Sequence, residues 1–278
     1  MTNETPMVTS GQEWTPELIE LIYSEIEKIA VDEFNLDVYP NQLEIVNFEQ
    51  MLDAYVSVGM PVYYPHWSFG EQFVKQHAAY KRGLMGLAYE LVINSKPCVS
   101  YLMEENTMLT QTLVIAHAAF GHNFFFKHNY LFQQWTDPEG IIDYLVFAKK
   151  YIQECEEKYG ADEVEQVLDA AHALQSHAVD KYHKPGSLSA AQEEALRKER
   201  EDWIHQHLDD VWSTVPRYDK NPTAPESVEQ FPSEPEENVL YFIEKNAPRL
   251  AEWKREILRI VRKIAQYFYP QTQKRQKL

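Results

Sequence analysis

Three features of this sequence predict a mainly α fold: a multi-helix globular domain with at most a few short strands and a long buried central helix. Apolar residues recur at three- and four-residue spacing through most of the chain, which is the signature of amphipathic helices. One stretch, residues 103–131, is apolar on most sides and so reads as a helix inside the core. The 278 residues are 44% hydrophobic and 13% aromatic, enough to bury a sizeable core.

The first helix is announced by Trp14-Thr15-Pro16, with Thr15 as N-cap and Pro16 at the first helical position. Leu18, Ile22, Ile26, Ile29 and Ala30 then recur at helical spacing. Residues 36–66 contain Pro40, Pro61 and Pro65 with short β-branched runs, so one or two strands or extended pieces are expected there. Residues 69–94 read as a helix interrupted by Gly83 and Gly86, followed by a turn over Asn94-Ser-Lys-Pro97. After the central helix, Thr136-Asp-Pro-Glu-Gly140 breaks the chain. Helices are expected over 139–158, from Asp162 to Tyr182, over 189–212 as a strongly charged segment, and from Asn246 to Tyr269. Residues 216–237 hold five prolines and read as a linker. The expected organisation is a flexible N-terminus (1–13), a helical core (14–185), a charged helix with Pro-rich linker (186–237) and an amphipathic C-terminal helix with its tail (238–278).

Composition narrows the function. Lys and Arg number 26 against 43 Asp and Glu, a net charge of −17. Such a chain repels nucleic-acid and anionic membrane surfaces, so no nucleic-acid partner is expected. No apolar run is long enough for a membrane span, and residues 1–6 lack the basic and apolar parts of a signal peptide. Two cysteines are too few for a disulfide framework or a cysteine zinc site. A cytoplasmic location is the expectation.

Chemistry concentrates in His117-Ala-Ala-Phe-Gly-His122-Asn-Phe-Phe-Phe-Lys-His128, where histidines interrupt an apolar run. Buried polar groups must be paired or bind a metal. On a regular α-helix a spacing of five turns His122 about 140° away from His117. The two come together only if the helix breaks or carries a π-bulge, for which Gly121 is the candidate position. Asp169-Ala-Ala-His172 and Asp180-Lys-Tyr-His183 repeat a carboxylate–histidine unit eleven residues apart. On one helix they share an arc of about 80°. Glu90, Glu104 and Glu105 also interrupt apolar surroundings, where a raised pKa would suit general acid or base work. His117, His122, His172 and Asp180 are therefore candidate metal ligands for zinc, iron or manganese, with Glu104 and Glu105 as candidate catalytic groups polarising a bound water. The alternative is that these groups only pair with one another and hold helices together. There is no HExxH motif, phosphate loop or nucleophile elbow.

Several strings, in order, resemble the SpoVR family, named for a stage V sporulation protein. They are Met60-Pro-Val-Tyr-Tyr-Pro-His-Trp-Ser-Phe-Gly70, Gly86-Leu-Ala-Tyr-Glu-Leu-Val-Ile-Asn-Ser95, Tyr101-Leu-Met-Glu-Glu-Asn-Thr107, His117-Ala-Ala-Phe-Gly-His-Asn123, Asn129-Tyr-Leu-Phe132, Gln134-Trp-Thr-Asp137 and Ile257-Leu-Arg-Ile-Val-Arg262. The resemblance implies a bacterial cytoplasmic protein linked to sporulation and spore cortex formation. It further implies either a metal-binding, hydrolase-like domain acting on a cell-wall peptide or precursor, or a non-catalytic regulatory protein working with a PrkA-like serine kinase. Similar chains continue past the segment Tyr267-Phe-Tyr-Pro-Gln-Thr-Gln273 into an Asn-Glu-Gly-Trp-Ala string, where this one reads Lys274-Arg-Gln-Lys-Leu278. The resemblance thus implies a fragment lacking the C-terminal half of the family fold and one supposed metal ligand. The face Leu250, Trp253, Ile257, Ile260, Val261 and Ile264 is then expected to be an exposed apolar patch that drives self-association.

Overall fold

The structure is a computed structural model that describes residues 14–57, 59–84, 89–179 and 238–275, with five isolated positions between 192 and 202. The chain divides into two compact units, Met1–Glu154 and Cys155–Leu278. The fold is mainly helical, with one small sheet in the first unit.

Helix α1 (Pro16–Glu27) begins as the sequence predicts: Thr15 Oγ1 accepts from the Leu18 N–H, and Pro16 fills the first position. It runs on into a π-helical turn, Lys28–Glu33. Strand β1 (Asn41–Val46) follows, then α2 (Phe48–Val56), capped by a reciprocal Asn47–Gln50 box, and α3 (Trp67–Lys81). The expected helix over 69–94 stops at Lys81; Glu90–Ile93 is instead strand β2. The β-branched Val92 and Ile93 favour a pleated backbone, and the strand is held by its partner rather than by local propensity. Strand β3 (Cys98–Met103) pairs antiparallel with β2 across the turn 94–97 and parallel with β1, giving the order β1-β3-β2.

The central helix therefore starts five residues later than its composition suggests, because the apolar residues up to Met103 belong to β3, which is buried throughout. Helix α4 (Met108–Ile115) is capped by Thr107 and passes without interruption into a π turn (Ala116–His122) and α5 (Asn123–His128). Asn129 ends it and caps α6 (Tyr130–Trp135), so the expected single helix is two. Helix α7 (Ile141–Tyr159) completes the run.

Side-chain alternation gives the sheet two distinct faces. On one, Leu43 and Leu102 pack with Ile115, Ala119 and Phe120 of the central helix and with Ile19 and Ile22 of α1. Farther along, Val92 and Cys98 pack on Phe126 and Phe132. On the other face lie Glu44, Val46 and Tyr101, and Leu91, which abuts Gly59.

In the second unit α8 (Ala161–Ala173) ends well short of Tyr182, and a 3₁₀ turn, Gln175–His177, follows. The expected helix from Asn246 resolves into α9 (Val239–Asn246) and α10 (Glu252–Arg275). Ile257, Ile260, Val261 and Ile264 are buried, and α10 packs on α8 and α9. The apolar face expected to lie open is thus covered within its own unit. At its centre the buried Glu244 carboxylate receives Arg259 Nε at 3.0 Å and Arg262 Nε at 2.8 Å, with Lys245 Nζ at 3.1 Å. Arg255 donates to the Glu244 and Ala247 carbonyls at the end of α9. Among the described residues no helix is long and apolar enough to cross a membrane.

Candidate metal centre

The π turn decides the geometry of the histidine cluster. Its hydrogen bonds span five residues, as from Asn123 N–H to the Ala118 carbonyl, so side chains five apart stack on the same side. His117 and His122 meet that condition, and their ring centres are 4.4 Å apart. Gly121 lies inside the turn, but a Cβ there would meet only ordinary contacts at 3.8 Å. The turn is therefore not forced by a steric need for glycine at this position.

The third member is Glu90. It lies directly opposite Leu102 in the β2–β3 ladder, and opposed residues share a face, so its side chain is delivered to the π turn. Glu90 Oε1 is 2.6 Å from His117 Nδ1 and 3.9 Å from His122 Nε2. One donor atom from each of the three residues falls within 4.8 Å of the others. An ion about 2.1 Å from each ligand of a tetrahedral site separates them by about 3.4 Å, within reach of small side-chain rotations. Among the described residues this is the group of three or more His, Cys, Asp or Glu with such spacing.

The cluster is graded from wet to dry. The His117 side chain is 64% exposed, His122 25% and Glu90 16%. Burial pushes the Glu90 carboxyl above its ordinary value, and His117 only partly offsets that. Its second oxygen, Oε2, is buried and has no hydrogen-bond partner among the described residues. A half-satisfied buried carboxylate is costly, and a cation is one remedy. His122 stacks on Phe126 at 5.9 Å, which limits its rotation.

Buried amides hold this arrangement in register. Asn106 donates to the Tyr89 carbonyl at 3.0 Å, next to Glu90, and to Gln111 Oε1 of α4, whose amide donates to the Met103 carbonyl at 2.9 Å. At the far end of the turn Asn123 brackets Tyr39, accepting from its N–H and donating to its carbonyl, both at 2.8 Å.

Among the described residues, the other candidates are not members of this group. Glu104 and Glu105 occupy the exposed turn after β3, not an apolar interior, because the strand ends at Met103 and the chain must reverse into α4. His172 is half-buried on α8 in the second unit, and Asp180 lies outside the described residues. His128 bonds the Asp37 carbonyl at 2.8 Å on the rim of the fold.

The SpoVR-like protein family profile matches residues 13–276. The chain belongs to the SpoVR family. An uncharacterised protein of Escherichia coli strain K12, YcgB, is 53% identical to this SpoVR-family chain over 273 residues, 98% of the chain and 53% of YcgB. The chain thus spans about half the length of that relative. No solved structure matches it.

Proposed function

We propose that this SpoVR-family chain binds one divalent metal ion through Glu90, His117 and His122 and that the site supports metal-assisted hydrolysis. The observation carrying the reading is the convergence of two imidazoles and a carboxylate with an unpartnered buried oxygen on a π turn. Two nitrogens and one oxygen suit zinc, while iron or manganese would draw further oxygen ligands. Three protein ligands leave a position for water, and a bound ion would supply a hydroxide at neutral pH. Within the chain, His117 presents the open side, Glu90 holds the dry side and His122 is fixed by its stack. The substrate class we assign is a cell-wall peptide or precursor, in keeping with the sporulation and spore cortex role that the family name carries.

A second reading rests on the 2.6 Å Glu90–His117 contact, which already couples strand to helix. In it the cluster is structural, and the protein is a cytoplasmic regulator acting with a PrkA-like serine kinase. Elemental analysis of protein purified without a polyhistidine tag separates the two, together with zinc titration of the metal-free form. Near-stoichiometric metal, lost in a His117→Ala/His122→Ala variant that stays folded, is the expected result. Absence of metal and of zinc binding in the wild type would end the metal reading.

A further inference from the structure

The Met60–Gly70 string has no part in the histidine cluster, yet it builds the wall of a cavity of about 530 Å³ on the opposite face of the sheet. Volumes of about 300–1,000 Å³ are typical of small-molecule sites. The wall is stiff: Pro61 and Pro65 fix their own backbone angles, and Gly59 turns the chain into it with φ of 81°, where a Cβ would press on Leu91 at 3.1 Å. Tyr63 packs at a tilt against Tyr64, with ring centres 4.6 Å apart, and meets Phe69 edge-on at 5.0 Å. The two phenols share a hydrogen bond, and burial pushes Tyr63 up to about 12, so both stay neutral.

Charge enters from three other elements. Glu44 projects from β1 beside Tyr101, Asp53 comes from α2 and Lys149 from α7. Among the described residues neither Asp53 nor Lys149 has an ion-pair partner. The cavity thus offers an aromatic wall, two carboxylates for an ammonium group and one ammonium for a carboxylate. Aromatic faces with carboxylates favour an organic cation, but Lys149 would repel a ligand that is only cationic.

We infer that the cavity bounded by Tyr63, Tyr64, Phe69, Glu44, Asp53 and Lys149 is a binding site for a small zwitterion, an amino acid or short peptide with free amino and carboxyl ends. Its ammonium lies toward Glu44 and Asp53, its carboxylate toward Lys149, and an apolar side chain lies on the aromatic wall. The site is independent of the histidine cluster because the sheet separates them.

The test is calorimetric titration of the whole chain with L-alanyl-L-phenylalanine, its N-acetyl form and its C-terminal amide. Saturable binding of the free dipeptide is expected, with each blocked form weaker by about tenfold. Asp53→Asn and Lys149→Met, both at exposed positions, should each weaken the free dipeptide by a similar factor while leaving the unfolding midpoint unchanged. His117→Ala should leave its affinity intact, and loss there would move the ligand to the histidine cluster and overturn the assignment. Equal binding of all three forms, or no saturable binding in the millimolar range, would also overturn it.

Discussion

Two buried carboxylates, one in each unit, have opposite fates. Glu244 is 1% exposed, and burial alone would raise its pKa, but Arg262, Lys245 and Arg259 outweigh burial and hold it below the ordinary value of 4.5. Glu90 is less buried, yet its pKa is raised, because burial outweighs what His117 gives back, and one of its oxygens has no partner among the described residues. The first is a finished ionic lock joining α9 to α10. The second is a half-satisfied polar group beside two imidazoles. Charge saturation, more than depth, distinguishes a carboxylate that holds a fold from one available for chemistry.

The largest effect that would sharpen this contrast is at Glu244. Replacing it by Ala strands Arg262 and its neighbours without a counter-charge and should cost about 3–5 kcal/mol. Urea unfolding, with hydrogen exchange read on α9 and α10, checks this; a loss under about 1 kcal/mol would break the comparison. Next in size is zinc added to the metal-free chain. At about a hundredfold excess over its Kd it should stabilise the first unit by about 2.7 kcal/mol, seen as slower exchange in α4 and α5. Stabilisation that persists in the His117→Ala/His122→Ala variant would place the ion elsewhere.

A smaller effect comes from pH, with signs that differ between the sites. Glu244 binds its proton less readily folded than unfolded, so its stabilisation is complete above pH 4.5 and is lost as pH falls through its lower folded value. Glu90 binds its proton more readily when folded, so in the metal-free chain its contribution declines as pH rises above 4.5 toward its raised folded value. Acid titration of exchange in each unit should show these opposite slopes, and parallel slopes would contradict them. The smallest effect is Glu90→Gln, which removes the poorly solvated charge. Near pH 7 it should change metal-free stability by no more than about 1 kcal/mol while abolishing zinc affinity. A large loss of stability would make Glu90 a structural residue like Glu244.

Helical class, the Thr15–Pro16 start and the strand before Asn47 were legible in the sequence because each depends on local chemistry. The central helix was readable as an apolar run, but its first turn was overextended, since a fully buried strand and a buried helix look alike in composition. His117 and His122 were legible conditionally: a spacing of five demands a π turn, and the sequence does not announce one. Glu90 is legible as an acid among apolar residues, but the local pattern puts it on a helix, and its meeting with the histidines depends on pairing with Leu102, a long-range fact. The burial of Ile257 and Ile260 is not legible for a similar reason, because α8, one of the two helices packed on theirs, is distant in sequence.

The π turn has a consequence for insertions and deletions. Removing one residue from Ala118–Ala119 would let the helix relax to the α form, and His117 and the former His122 would then sit four apart and still share a side. Adding one residue would instead place them six apart, about 120° round from one another on an α-helix. A single deletion should therefore be tolerated by the histidine pair and, because Asn123 directly follows His122, should also leave the Asn123–Tyr39 bonds and the Phe126 packing in phase. The π turn absorbs one residue more than an α-helix needs while keeping the histidines on one side and the downstream anchor on the other. An insertion, more than a deletion, is what this stretch is built to resist.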